Sequence, residues 1–130
     1  MAGFWVYCVQ KNIDRSGGAG LPGAMGESMH LSKQIESMYD DAVRIRQDLH
    51  RIPEIGFQLR DTQAYVLREL KQCGPDRIET PAVCGVKAVF FAKDAETTIA
   101  FRADMDGIHN DEANDVPYCS QHPGNMHGCG

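Results

Sequence analysis

The chain has 130 residues, room for one small domain with a single core. Its 13 Lys and Arg against 18 Asp and Glu give a formal net charge of -5, which lacks the basic field that a nucleic-acid or anionic-membrane surface needs. The composition, 42% hydrophobic and 24% charged, is that of a soluble globular protein, and no apolar run nears the roughly 20 residues of a membrane helix.

Residues 1–28 read differently from the rest. Ser16-Gly17-Gly18-Ala19-Gly20-Leu21-Pro22-Gly23 cannot hold a helix or a strand. The segment is expected to be a flexible extension, or else translation starts at Met25 or Met29; the residues alone leave both open. The opening apolar stretch has no basic leader and no cleavage site, so no export is expected. The odd set Cys8, Cys73, Cys84, Cys119 and Cys129 is no disulfide framework and fits reduced thiols in the cytoplasm.

Residues 29–130 carry the elements. Leu31, Ile35, Met38, Ala42, Ile45, Leu49 and Ile52 alternate spacings of four and three, which predicts a helix with one apolar stripe. Pro53 ends it. The stripe packs on a core or on a partner helix. A second helix is predicted to start at Asp61 or Thr62 as N-cap and to stop at Gly74-Pro75. The period then changes to two. Val86, Ala88 and Phe90 form one strand, and Thr98, Ala100 and Arg102 another; Lys93-Asp94-Ala95-Glu96 between them predicts a hairpin.

The tail from Asp104 to Gly130 has little periodic pattern and many ligand-type side chains: Asp104, Asp106, His109, Asp111, Glu112, Cys119, His122, His127 and Cys129. Imidazole, thiolate and carboxylate together are the donor set of zinc and similar metals. Taken singly, each has a plain reading as a loop polar group, a turn residue or a small buried thiol. Asp104-Met105-Asp106 at a strand end would hold two carboxylates on one face. A separate reading groups Cys119, His122, His127 and Cys129 as a closed four-ligand structural zinc module. A third makes the chain a helical interaction protein that uses the Leu31–Ile52 stripe.

Four blocks in order carry a family likeness: Arg46-Gln47-Asp48-Leu49-His50-Arg51-Ile52-Pro53-Glu54-Ile55-Gly56-Phe57; Thr62 with Leu70 through Gly74; Phe101-Arg102-Ala103-Asp104-Met105-Asp106-Gly107; and Pro117-Tyr118-Cys119-Ser120 followed by Gly124-Asn125-Met126-His127-Gly128-Cys129-Gly130. From about Ile45 onward the chain resembles the amidohydrolase branch of the aminoacylase/carboxypeptidase metallopeptidases, which includes hippurate hydrolases and N-acyl-amino-acid deacylases. Departures exist. His109 and Asn110 stand where the family has proline and an apolar residue, and Gly107 stands where alanine is common.

The resemblance implies an α/β fold: the N-terminal, incomplete part of a mixed-sheet, helix-flanked catalytic domain. It also implies hydrolysis of the amide of an N-acyl amino acid or small peptide-like substrate, with two divalent ions, zinc or manganese. Cys129 takes the position of a metal-bridging cysteine. Asp106 takes that of the aspartate supporting the metal site, and His50 a structural position. His127 is no ligand in that pattern, and the role of Asp104 is open. The histidine, further ligands and general-base glutamate of the family's motif lie beyond Gly130, so residues 1–130 are expected to be inactive alone. Any homo-oligomer would form through a domain also beyond Gly130.

Overall fold

A computed structural model describes residues 3–10, 33–92 and 97–128. It is an α/β arrangement of two helices on a mixed four-stranded sheet, with a small two-stranded ribbon at one end. In chain order the elements are β1 (Gly3–Gln10), α1 (Tyr39–Arg51), α2 (Arg60–Gln72), β2 (Arg77–Glu79), β3 (Val86–Phe90), β4 (Thr97–Asp104), β5 (Ile108–His109) and β6 (Asn125–Met126).

The large sheet has the order β2-β3-β1-β4. β1 runs parallel to β3, with Phe4 opposite Val86, and antiparallel to β4, with Gly3 opposite Asp104. This corrects two expectations. Residues 3–10 are a strand and not part of a flexible extension; residues 11–32, with the glycine-rich run, lie outside the described residues. β3 and β4 are not a hairpin, because β1 sits between them and pairs with both. Phe4, Trp5, Val6, Tyr7 and Val9 are strand formers, and a central position satisfies the backbone groups on both edges of β1. The connection 91–96 is long enough, since an extended chain gains roughly 3.3 Å per residue and stepping over one strand takes about 10 Å.

The long first helix divides. Residues 33–37 are helical, a turn follows at Met38, and α1 begins at Tyr39. Ile35 and Met38 are 62% and 64% exposed, so the early part of the stripe packs on nothing described, while Ile45 and Leu49 are half-buried. α1 stops at Arg51, two residues before Pro53, as expected. α2 is capped two or three residues before the expected Asp61 or Thr62. Its N-cap, Leu59, makes no side-chain cap bond; the Glu54 carboxylate accepts the amides of Asp61 (3.2 Å) and Thr62 (2.8 Å) instead. At the other end Gly74, at φ 65°, closes the helix and its amide donates to the Lys71 carbonyl.

The core lies between α2 and β3. Leu59, Cys84, Val86 and Met105 form its centre, with Val66, Leu67 and Leu70 against it. An ion-pair network ties α1 to α2: Arg44 reaches Glu69 at 2.9 Å, and the Tyr65 hydroxyl donates to Asp48 at 2.8 Å. No helix among the described residues is long and apolar enough to cross a membrane.

Candidate functional site

The end of α1 and the turn after it organise the site. Pro53 and Gly56 leave a compact turn, with Gly56 at φ 60°, a conformation that glycine adopts without a Cβ clash. The turn holds the end of β4. The Gly107 amide donates to the Glu54 carbonyl at 2.7 Å, and Ile55 bridges to Gly107 in parallel fashion. Gly107 is buried, and a Cβ there would come within 2.9 Å of the Met126 carbonyl oxygen, so β6 approaches closely at this point.

From there the chain loops through residues 110–124 and returns in β6, antiparallel to β5. The loop is pinned to the end of α1. The Gln121 amide donates to the Arg51 carbonyl (2.8 Å), and His122 Nδ1 donates to the Pro53 carbonyl (2.9 Å). His50 Nε2 and Glu112 Oε1 are 2.9 Å apart, and both side chains are almost fully buried, 9% and 5% exposed. The other Glu112 oxygen accepts the Ser120 amide at 2.7 Å. Ser120 and then His50 hold the Glu112 carboxyl below its ordinary range. It is therefore an ionised acceptor, and His50 Nε2 carries the shared proton.

Two imidazoles approach each other where the loop rejoins the sheet. The His127 ring lies 6.4 Å from the His50 ring, and its Nε2 is buried without a hydrogen-bond partner among the described residues. Burial lowers the His127 pKa, His50 lowers it further, and Asp106 opposes both. Asp106 is half-buried and acts on a second neighbour: burial raises the Cys84 thiol, and Asp106 raises it further. His50, His127, Asp104 and Met105 are among the residues that line an apolar cavity of about 700 Å³ bounded by α1, α2 and the end of β4.

The sequence-level candidates fare unequally. Asp104 and Asp106 are not an equivalent pair: Asp104 is exposed and ion-paired with Arg102, whereas Asp106 is half-buried. Cys129 lies outside the described residues. The four-ligand zinc reading finds no support among the described residues. Cys119 donates its S–H to the Asn114 carbonyl, His122 binds the Pro53 carbonyl, and no group of three or more His, Cys, Asp or Glu side chains is placed to hold a metal. His50 is buried, in keeping with its expected structural position. Its partnership with Glu112, 62 residues away, had no signal in spacing or periodicity.

The Glu112 geometry predicts a pH effect with a definite sign. A carboxyl with a depressed folded pKa adds stability above its unfolded value near 4.5, and that stability is lost as pH falls through the lower folded value. Melting temperatures of the wild type and Glu112→Gln should therefore differ at pH 7 and converge as the pH falls through the lowered Glu112 value. A difference that is constant with pH would show that the charge of Glu112 is not linked to folding.

No protein-family model matches the chain, and no solved structure matches it. Curated proteins do. N-acetyldiaminopimelate deacetylase from Exiguobacterium sibiricum is 40% identical over 94 residues, 68% of this chain and 24% of the relative. The protein of the same name from Bacillus subtilis is 42% identical over 92 residues, 70% and 25%. That from Listeria monocytogenes is 35% identical over 94 residues, 72% and 25%. The chain thus spans about a quarter of the length of the relatives it matches. With this likeness over some two thirds of its residues, on a helix-flanked mixed sheet, the chain belongs to the aminoacylase-type amidohydrolase family of which these deacetylases are members.

Proposed function

We propose that this chain supplies the first part of the active site of a metal-dependent amidohydrolase acting on N-acyl amino acids or small peptide-like substrates. The relatives are named for removing an acetyl group from N-acetyldiaminopimelate, a substrate of this chemical class. The observation that carries the metal reading is local. A half-buried carboxylate, Asp106, acts electrostatically on His127, whose buried Nε2 has no partner among the described residues, in the segment that leads directly to Cys129. Such a donor set, thiolate with imidazole and carboxylate nearby, fits zinc, and manganese is the alternative that the family resemblance implies.

Cys129 is the residue we assign as a metal ligand, and Asp106 the residue that orients the liganding groups by hydrogen bonding. Bound divalent ions would supply carbonyl polarisation and a water acidified for attack. The chain's own contribution is placement: β4 delivers Asp106, and the loop fastened to α1 returns to deliver His127 and the residues after it.

The test is hydrolysis of N-acetyl and N-benzoyl amino acids by a protein that continues beyond Gly130 in the same reading frame, loaded with zinc or manganese. Metal-dependent release of the free amino acid, abolished by a chelator, is expected. Its absence from a folded, metal-loaded protein would overturn the reading. Residues 1–130 alone are expected to show no turnover, because one assigned ligand falls short of the roughly three protein ligands of a catalytic zinc site.

A further inference from the structure

We propose that the buried His50–Glu112 pair is a positioning device, which fastens the 110–124 loop to the end of α1 so that His127 returns to its place next to His50. The geometric part stands on the structure; its consequence for catalysis rests on the amidohydrolase reading.

Both members are almost fully buried, and each is held from a second side. The Tyr118 ring meets His50 edge-on at 5.7 Å, and the Ser120 amide binds the second Glu112 oxygen. One carboxylate therefore joins three chain segments: α1 through His50, the loop entry at Glu112, and the loop exit at Ser120. A buried ion with its hydrogen bonds satisfied costs much to disturb, because removing one partner leaves the other unpaired. Two further ties reach the same end of α1, the Gln121 amide to the Arg51 carbonyl at 2.8 Å and His122 Nδ1 to the Pro53 carbonyl at 2.9 Å, and they hold the loop after Ser120. Arg51 Nη2 reaches the Pro117 carbonyl only at 3.5 Å, and the Asp111 carboxylate accepts the Gly124 amide within the loop itself. His50 also presents a ring to His127 at 6.4 Å, so the group that fixes the loop lies next to the group the loop delivers. Neither His50 nor Glu112 needs to touch substrate or metal for this role.

Amide hydrogen exchange on the 130-residue chain tests the proposal without any activity assay, so failure of the amidohydrolase reading would leave the result interpretable. Glu112→Ala should speed exchange at Ser120 and Gln121 by about 10- to 100-fold. It should leave the α2 amides from Tyr65 to Leu70 within about two-fold. Glu112→Gln keeps an acceptor for Ser120 and a partner for His50, and should restore most of the protection; so should His50→Gln, which keeps a donor for Glu112. The His127 ring resonances should shift in Glu112→Ala and return towards wild type in Glu112→Gln. Unchanged loop exchange in Glu112→Ala overturns the proposal. Equal acceleration in the loop and in α2, or unfolding of both glutamine variants, overturns it as well, since the pair would then be a general stabiliser of the domain.

Discussion

Leu59→Ala is expected to cost about 2–5 kcal/mol, a large share of the 5–15 kcal/mol that typically holds a domain together. Leu59 is 1% exposed and packs at the centre of the core with Cys84, Val86 and Met105. Removing its branched end leaves a cavity between α2 and the sheet, and β3 cannot follow because it is paired on both sides, with β1 and β2. The measurement is urea unfolding, where the midpoint should fall with the slope unchanged. Ile35→Ala is the control. That side chain is 62% exposed, and its loss should change stability by no more than about 0.5 kcal/mol. Similar costs for the two substitutions would refute a core centred on α2 and β3.

Cys129→Ala is the second large effect, and it follows from the proposed function. In a protein continuing past Gly130, loss of a liganding thiolate should abolish metal-dependent hydrolysis and release bound zinc or manganese. Asp106→Asn should do less, lowering metal affinity or activity by about 10- to 100-fold, the usual effect of removing a group that orients a ligand. Metal content by elemental analysis separates the two, and it does so even when no substrate has been found. Full metal occupancy in Cys129→Ala would remove that residue from the site. Unaltered metal content and activity in Asp106→Asn would leave its carboxylate with a role in the sheet end alone.

Local physics was readable in the chain. The four-three spacing from Ile45 to Ile52 and the proline after it located α1, and Gly74-Pro75 located the end of α2. Alternation located β3 and β4 to within a few residues. These signals concern neighbours in sequence, where backbone preference and side-chain period act directly. The start of α2 was misread for a related reason: Asp61 and Thr62 are good caps, but the carboxylate that caps the helix comes from Glu54, across a turn that only the folded backbone closes.

The site divides in the same way. The donor-rich tail, its likeness to the amidohydrolase motif and the supporting role we propose for Asp106 were all readable from the sequence. Three things did not: the insertion of β1 between β3 and β4, the joining of His50 to Glu112, and the separation of Asp104 from Asp106. Each is a contact between residues far apart in the chain, or a choice of which face turns inward. Burial and pairing decide such contacts only after the whole sheet has assembled, because a buried charge is stable only where a partner from another segment meets it.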